Sequence, residues 1–226
     1  MKRVVTPELL DEDLGTPQEI QSTLLDLRGL NQNFGGFSSM SAMLRTVAQE
    51  FRRANLSFLD VAGGTGDLAE HVTKALYGQD ISIRPAVLDR AISHMRGNGK
   101  RITRIAGDAL SLPFGPSSFD VVGCNLFCHH LEPEDVISFF NEALRVSRLA
   151  VVVSDLRRNL FHWFAAYAGY PTYRSRLTRN DAPASVRRAY TIEEIQSLAA
   201  RTCAARSEVK PYYFQRLGVI LWKAQS

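Results

Sequence analysis

Short apolar runs alternate with amphipathic segments through the middle of this chain. The apolar runs predict β-strands at 56–61, 81–88, 102–106, 119–125 and 149–154. Between the strands, apolar side chains at helical spacing predict helices over 66–76, near Ala91 and from Pro133, where proline suits the first turn. This alternation is typical of a parallel sheet covered by helices on both faces, so we expect a doubly wound α/β fold.

The N-terminal region departs from this alternation. Helices are predicted over 17–30 and from near Ser39, and they are joined by an Asn/Gly turn at 31–37. This turn is either a hinge or an ordinary connection between two helices. The polar, acidic residues 1–15 are expected to be frayed or loosely docked.

The C-terminal part also departs from the alternation. Residues 156–190 are rich in aromatic and arginine side chains, and we interpret them as a helical cap inserted after the fifth strand. A capping box at Thr191 and Glu194 predicts the start of another helix. The runs at 209–214 and 217–222 predict a closing hairpin, which completes a mostly parallel sheet of seven strands.

Length and composition favour a single α/β core. The chain has 226 residues, of which 45% are hydrophobic, enough for one core and a modest accessory region. It contains no uncharged apolar run of roughly 18 residues or more, and its basic start leads into acidic residues. We therefore predict neither a membrane span nor a secretory signal, and we expect a cytoplasmic protein.

The three cysteines are too few for a disulfide framework. Cys124 and Cys128 lie four positions apart without a second pair, so ordinary burial is favoured over metal binding and no metal is expected. The net charge of +4 comes from a local excess of arginine. The arginines concerned are Arg157, Arg158, Arg174, Arg176, Arg179, Arg187 and Arg188. They form either a solvated face or a groove for a carboxylate, phosphate or carrier-bound substrate, and we expect no nucleic-acid partner.

The segment 58–69 holds the strongest site signal. An apolar strand ends in an acid and a glycine turn, and a helix follows. Glycines let a ligand approach the backbone, and the free N–H groups of the helix start can bind its polar atoms. The spacing Gly64-x-Gly66-x-x-Ala69, with Asp89 downstream, also fits a dinucleotide fingerprint, so the loop alone leaves an oxidoreductase open.

Acidic residues follow three successive predicted strands. Asp60, Asp89 and Asp108 should meet at the carboxyl edge of the sheet. A carboxylate at Asp89 can accept hydrogen bonds from both ribose hydroxyls. The alternatives are a turn or helix cap for Asp60 and a surface acid for Asp89.

With Asp60, the stretches AGGTGDL at 62–68, GDALSLPF at 107–114 and SFDVV at 118–122 resemble class I S-adenosylmethionine (SAM) methyltransferases, which have a Rossmann-like fold. The chain is most similar to the ubiquinone/menaquinone-biosynthesis group, also described as methyltransferase type 11. The resemblance implies SAM as cofactor. It also implies that residues 1–55 form a helical lid over a domain at 56–226.

The resemblance assigns cofactor roles to individual residues. Asp60 would recognise the methionine end, and Asp89 the ribose. Asp108 would meet the adenine amino group beside the backbone N–H of Ala109. Arg90 either flanks the adenine or is exposed, and Asn125 would offer its backbone carbonyl to the methionine part. The backbone cradle consists of Ala62, Gly63, Gly64 and Gly66.

The acceptor end should follow the fourth strand, at 125–131. His129 and His130 are the best proton-handling candidates, because an imidazole with a pKa of about 6.5 can accept a proton from a hydrogen-bonded phenol. A satisfied core histidine is the alternative, and we expect at most one of the two to face the acceptor. The predicted substrate-binding residues are Phe127, His162, Trp163 and Tyr167, although aromatic residues also serve as plain core.

Two departures from the quinone-pathway pattern limit what can be inferred about the acceptor. Residues 145–148 replace the expected Lys-Pro-Gly-Gly turn, and His129-His130 replaces that family's own strand exit. We therefore predict a SAM-dependent methyltransferase of secondary metabolism that O-methylates a small, largely apolar phenolic or polyketide-like acceptor. Ring-carbon methylation of a quinol or phenol is the alternative. A nucleic-acid methyltransferase and a catalytically silent SAM-binding adaptor are alternatives of other classes, and a homodimer is left open.

Overall fold

The computed structural model describes residues 1–12, 14–91, 95 and 102–224. The helix predicted near Ala91 falls outside these residues. The described strands are β1 (Asn55–Val61), β2 (Ser82–Asp89), β3 (Thr103–Ala106), β4 (Phe119–Asn125), β5 (Ser147–Leu156), β6 (Arg206–Tyr212) and β7 (Arg216–Trp222). They form one sheet in the order β3-β2-β1-β4-β5-β7-β6.

The sheet is parallel except at one strand. β1 pairs in parallel with β2 and β4, β2 with β3, and β4 with β5. β7 runs antiparallel to both β5 and β6. This arrangement confirms the mostly parallel, seven-stranded Rossmann-like sheet. The strand order reverses between β1 and β4, which is where open α/β sheets form a ligand crevice at their carboxyl edge.

The described helices are α1 (Pro17–Asn33), α2 (Gly36–Glu50), α3 (Asp67–Tyr77), α4 (Pro133–Val146), α5 (Leu160–Ala168), α6 (Arg176–Arg188) and α7 (Ile192–Ala199). The predicted capping box of α7 is present, with Glu194 N donating to Thr191 Oγ1 at 3.2 Å and Thr191 N donating to Glu194 Oε2 at 2.9 Å. Within the part of the chain that the structure describes, each helix is too short or too polar to cross a membrane.

The turn between α1 and α2 is shorter than the sequence suggests. α1 continues to Asn33, and α2 begins at Gly36. Phe34 and Gly35 make the turn, and Gly35 lies at φ +81°, where a Cβ would collide with the backbone of Tyr213. The remaining polar residues of the predicted turn therefore belong to helices.

Helices cover both faces of the sheet. On one face, α2 and α3 pack apolar side chains such as Met43, Leu44 and Val72 against the strands. On the other face, α4 and α7 do the same with Phe139, Phe140 and other residues. α1 packs against α2 and α6, and its Asn31 contacts Asn125 of β4 and Arg216 of β7 at the carboxyl edge.

The N-terminal segment is docked, which is one of the two alternatives that the sequence left open. Val4 N donates to Arg187 O at 3.1 Å. Leu9 N and Leu10 N donate to the two carboxylate oxygens of Asp181 at 2.9 and 3.1 Å. The backbone is fixed by α6, through contacts between residues far apart in the sequence.

Candidate active site

A cavity of about 670 Å³ opens at the carboxyl edge of the sheet. Its walls come from the glycine loop after β1, the ends of β2 and β4, α1, the cap helices and the N-terminal segment. A cavity of this size is typical of sites for small molecules and cofactors. It therefore brings together the two halves that the sequence predicts, a cofactor half and an acceptor half.

The glycine loop is built around close contacts. Gly64, at φ +48°, donates its N–H to Asp89 Oδ2 at 2.8 Å. A Cβ on Gly63 would lie 2.7 Å from Asp60 Oδ2. Gly66, at φ +83°, is buried and is the N-cap of α3. Ala62 holds φ +56°, a strained conformation for a residue with a Cβ, and such strain is common at binding sites.

Asp60 is the least satisfied polar group of this half. Its side chain is 1% exposed, and neither carboxylate oxygen has a hydrogen-bond partner among the described residues. Burial, and to a lesser extent the charge of Asp89, raises the pKa of Asp60 well above its usual value. Because a buried carboxylate without partners is costly, this position is suited to a ligand that supplies donors or positive charge.

Asp89 and Asp108 line the same half of the cavity as Asp60. Asp89 is half-buried, and its second oxygen accepts from Ala91 N at 2.8 Å. Asp108 is exposed and accepts from Leu110 N at 2.9 Å. The other predicted cofactor residues on the wall are Ala62, Gly63, Gly64, Arg90, Ala109 and Asn125. The structure therefore brings the predicted cofactor residues to one cavity or its floor.

The exit of β4 is tied to α1. Asn125 Nδ2 donates to Asn31 Oδ1 at 3.0 Å, and Arg216 Nη2 donates to the same oxygen at 3.0 Å. Burial lowers the pKa of the Arg216 guanidinium to about 10. The side-chain oxygen of Asn125 is buried and finds no partner in residues 1–12, 14–91, 95 and 102–224. Sequence reasoning missed Asn31 and Arg216, because their elements meet only in the fold.

His129 lies at the acceptor half in a buried polar cluster. Its Nδ1 lies 2.6 Å from Asp155 Oδ1, and its backbone N donates to Asp155 Oδ2 at 3.0 Å. Burial favours the neutral acid, but the nearby His129 outweighs it and lowers the pKa of Asp155. A carboxylate on Nδ1 places the ring proton there and leaves the Nε2 lone pair free to accept a proton.

His130 lies beside His129, with ring centroids 4.1 Å apart, and its Nδ1 lies 2.7 Å from Asp11 Oδ2. Both histidines line the cavity, so the expectation that at most one faces the acceptor stays a prediction. Sequence reasoning missed Asp11, Asp155 and Glu8 of this cluster. Asp155 had a usable signal, since it is a further acid at the carboxyl end of a parallel strand.

Of the three cap residues predicted to bind substrate, one lines the cavity, together with other residues of the cap. His162, Ala165, Ala166 and Gly169 line the cavity, as does Phe127 after β4. Burial lowers the pKa of His162 to about 4, so this ring is neutral near pH 7.

Trp163 and Tyr167 are not among the residues that line the cavity, so their role in substrate binding stays a prediction. Their rings pack on each other, with centroids 4.9 Å apart. They lie four positions apart on a helix and therefore share a face.

Comparisons with known proteins agree with this architecture. Residues 58–149 match the model of the methyltransferase domain family. The ubiquinone/menaquinone biosynthesis C-methyltransferase UbiE of Roseobacter denitrificans is 32% identical over 102 residues. That alignment covers 42% of this chain and 40% of the relative, so the chain aligns with less than half of the relative's length.

Solved structures are similar over most of the chain. The plantazolicin methyltransferase BpumL, in complex with a pentazolic desmethylPZN analog and SAH, has a TM-score of 0.69 at 13% identity and covers 96% of this chain and 95% of its own. A SAM-dependent methyltransferase from Aquifex aeolicus has a TM-score of 0.59 at 14% identity, with coverages of 93% and 100%. The chain therefore has the class I methyltransferase fold, and its residues 58–149 match the methyltransferase domain model.

Proposed function

We propose that this chain is a SAM-dependent methyltransferase that transfers a methyl group to a hydroxyl of a small, largely apolar acceptor of phenolic or polyketide type. The proposal rests mainly on the state of the Asp60 side chain. It is a buried carboxylate without a hydrogen-bond partner in the described chain, and it lies against the glycine loop at the cavity wall. The methyltransferase domain family supports the same activity.

The cofactor half fits SAM residue by residue. Asp60 would compensate the positive charge of the methionine part, and Gly63 offers backbone without a colliding Cβ. Asp89 has an acceptor-only carboxylate for the ribose hydroxyls, while Asp108 and Ala109 would meet the adenine. When bound, SAM supplies an electrophilic methyl group on a sulfonium.

The acceptor half supports proton removal from a hydroxyl. Asp155 holds His129 through Nδ1, so that Nε2 can take the acceptor proton. The surrounding wall is largely apolar, with Leu24, Leu27, Phe127 and Ala166 among its residues. An apolar wall excludes water, which would otherwise compete for the methyl group.

Ring-carbon methylation is the second candidate. It is favoured by the similarity to a protein named as a C-methyltransferase. A phenol becomes nucleophilic at a ring carbon after it loses its hydroxyl proton, so the same histidine would serve either outcome. Mass spectrometry of the product distinguishes the two, because an O-methyl group is lost on ether cleavage and a C-methyl group is retained.

Calorimetry with the full chain tests the proposal first. We expect binding heat with SAM and with S-adenosylhomocysteine (SAH), and none with NADH. Turnover is then measured with methyl-labelled SAM against a panel of phenols, with an RNA oligonucleotide as the competing acceptor class. Absence of heat with both SAM and SAH would refute the activity, whereas binding followed by methylation of RNA alone would refute the acceptor class.

A further inference from the structure

The N-terminal segment brings a carboxylate into the acceptor half. Glu8 is 6% exposed and lines the cavity beside His129 and His130. Its Oε1 atom is buried and has no hydrogen-bond partner among the residues whose positions are described. A buried carboxylate oxygen without a partner is an unsatisfied hydrogen-bond acceptor. A molecule bound in the cavity could supply the missing donor.

The position of Glu8 is fixed from both sides. Before it, the side chain of Arg3 donates to Leu131 O at 2.9 Å and to Arg188 O at 2.8 Å. After it, Leu9 and Leu10 are held by Asp181, as described above. These contacts are independent of Glu8 itself, so the segment would remain docked when the carboxylate is altered.

Glu8 lies close to the second ring nitrogen of His129. Its Oε1 is 3.7 Å from His129 Nε2. This separation exceeds a hydrogen bond, yet it is short enough for the carboxylate charge to act on the ring. Asp155 already occupies Nδ1 on the other side of the same ring. The imidazole is therefore placed between two carboxylates.

Charged and polar groups surround Glu8. His130 and Asp11 lie on one side, and Asp181 and Arg188 come from α6, as does Ser185, whose hydroxyl hydrogen-bonds to the Glu8 side chain. Burial raises the pKa of Glu8 to about 7, although the charge of His130 works in the opposite direction. Glu8 can thus exchange its proton near neutral pH, which suits a group that handles protons.

We propose that Glu8 assists proton removal through His129: its carboxylate, 3.7 Å from His129 Nε2, stabilises the imidazolium that forms when His129 takes the proton of the acceptor hydroxyl. This inference rests on the proposed methyl transfer. In the step, the acceptor O–H bond breaks and its proton passes to Nε2. The oxygen electron pair forms the bond to the methyl carbon, while the carbon–sulfur electron pair stays on sulfur as SAH leaves. After the methylated product has left, Nε2 releases the proton to solvent.

The test compares Glu8→Gln with Glu8→Asp, using Glu12→Gln as the control on an exposed acid of the same segment. For phenol acceptors, we expect Glu8→Gln to lower kcat by at least about tenfold, with unchanged affinity for SAH. The ascending limb of the kcat/KM pH profile should move to lower pH, because the imidazolium loses a neighbouring negative charge. Glu8→Asp should recover part of the rate, and Glu12→Gln should match the wild type.

Three results would overturn the proposal. One is a Glu8→Gln profile of unchanged shape and height. Another is loss of wild-type turnover on dialysis against EDTA with recovery in Mn²⁺, which would mean that Glu8, His129 and His130, whose donor atoms lie within 4.8 Å of one another, bind a cation instead. If the wild type methylates no phenol, the proposed acceptor class is wrong, but the role of Glu8 is still tested by NMR titration of His129. Its pKa must fall in Glu8→Gln, and an unchanged value rejects the role of Glu8.

Discussion

The two halves of the cavity are built in different ways. The cofactor half comes from the ends of β1, β2 and β3 and the loops directly after them, so its residues lie in short contiguous motifs. The acceptor half combines the N-terminal segment, α1, the exit of β4 and the cap helices. Glu8 and His129, which lie 3.7 Å apart, are separated by more than half of the chain.

The electrostatics of the two halves also differ. Asp60 in the cofactor half lacks a partner within the described residues, whereas Asp155 in the acceptor half holds a histidine at 2.6 Å. An unpaired buried acid is a binding feature, because it gains most from a ligand. A carboxylate paired with an imidazole is a proton-handling feature. Substitutions in the two halves should therefore change different measured quantities, affinity in one and turnover in the other.

The largest effect is expected at His129. We expect His129→Ala to lower kcat by about 10²- to 10⁴-fold, the usual range for loss of a general base, while SAH affinity measured by calorimetry stays near the wild-type value. His130→Ala should cost less, because its Nδ1 partner Asp11 is exposed at the rim. Normal turnover in both variants would reject proton transfer to either ring.

The next effect concerns Glu8 and the free energy of unfolding. Its pKa of about 7 exceeds the ordinary value of 4.5, so the folded chain binds the proton more tightly than the unfolded one. The contribution of Glu8 to stability should therefore be greatest at low pH and fall by about 3 kcal/mol as pH rises from about 4.5 to about 7. Glu8→Gln lacks this ionisation, so it should be more stable than the wild type at pH 8 and similar to it at pH 4.

Urea unfolding of both proteins across this pH range measures the difference. A variant that gains stability at high pH while losing turnover would show that the carboxylate is kept for function. A stability difference that does not change with pH would contradict the raised pKa. Glu12→Gln should follow the wild-type curve throughout.

The sequence predicted the sheet and the cofactor half closely, and the acceptor half poorly. Strand bounds such as Phe119–Asn125 agree with the prediction, because buried parallel strands are nearly continuous apolar runs. The glycine loop and its acids lie at strand ends, where topology alone brings them together. Glu8 and Asn31 gave no such signal, since a polar residue before or within a surface helix resembles any other until its tertiary partner is known.

A smaller effect, on cofactor affinity, is expected at Asp60. Asp60→Asn should weaken SAH binding by about 2 kcal/mol, about 30-fold, which is the range for one hydrogen bond to a charged group. The ligand-free variant should keep or gain thermal stability, because it no longer buries an acid without a partner in the described structure.

Asp120→Asn is the matched control for Asp60. Asp120 is also buried, but it accepts from Ser57 N at 2.8 Å and pairs with Arg148. Its loss should lower the Tm and leave SAH affinity unchanged. If both variants lose stability and neither loses affinity, Asp60 is a structural acid and the cofactor site must be sought elsewhere.

The smallest effect is expected on the outer face of the cap, and it tests the boundary of the acceptor half. Tyr167 is exposed and does not line the cavity, while its neighbour Ala166 is buried and lines it. Tyr167→Leu should change the KM for a phenol by less than about twofold, since a surface substitution perturbs little. Ala166→Leu adds bulk inside the cavity and should raise the same KM several-fold, with SAH affinity unchanged. Equal effects would mean that the acceptor contacts the outer aromatic face, as the sequence alone suggested.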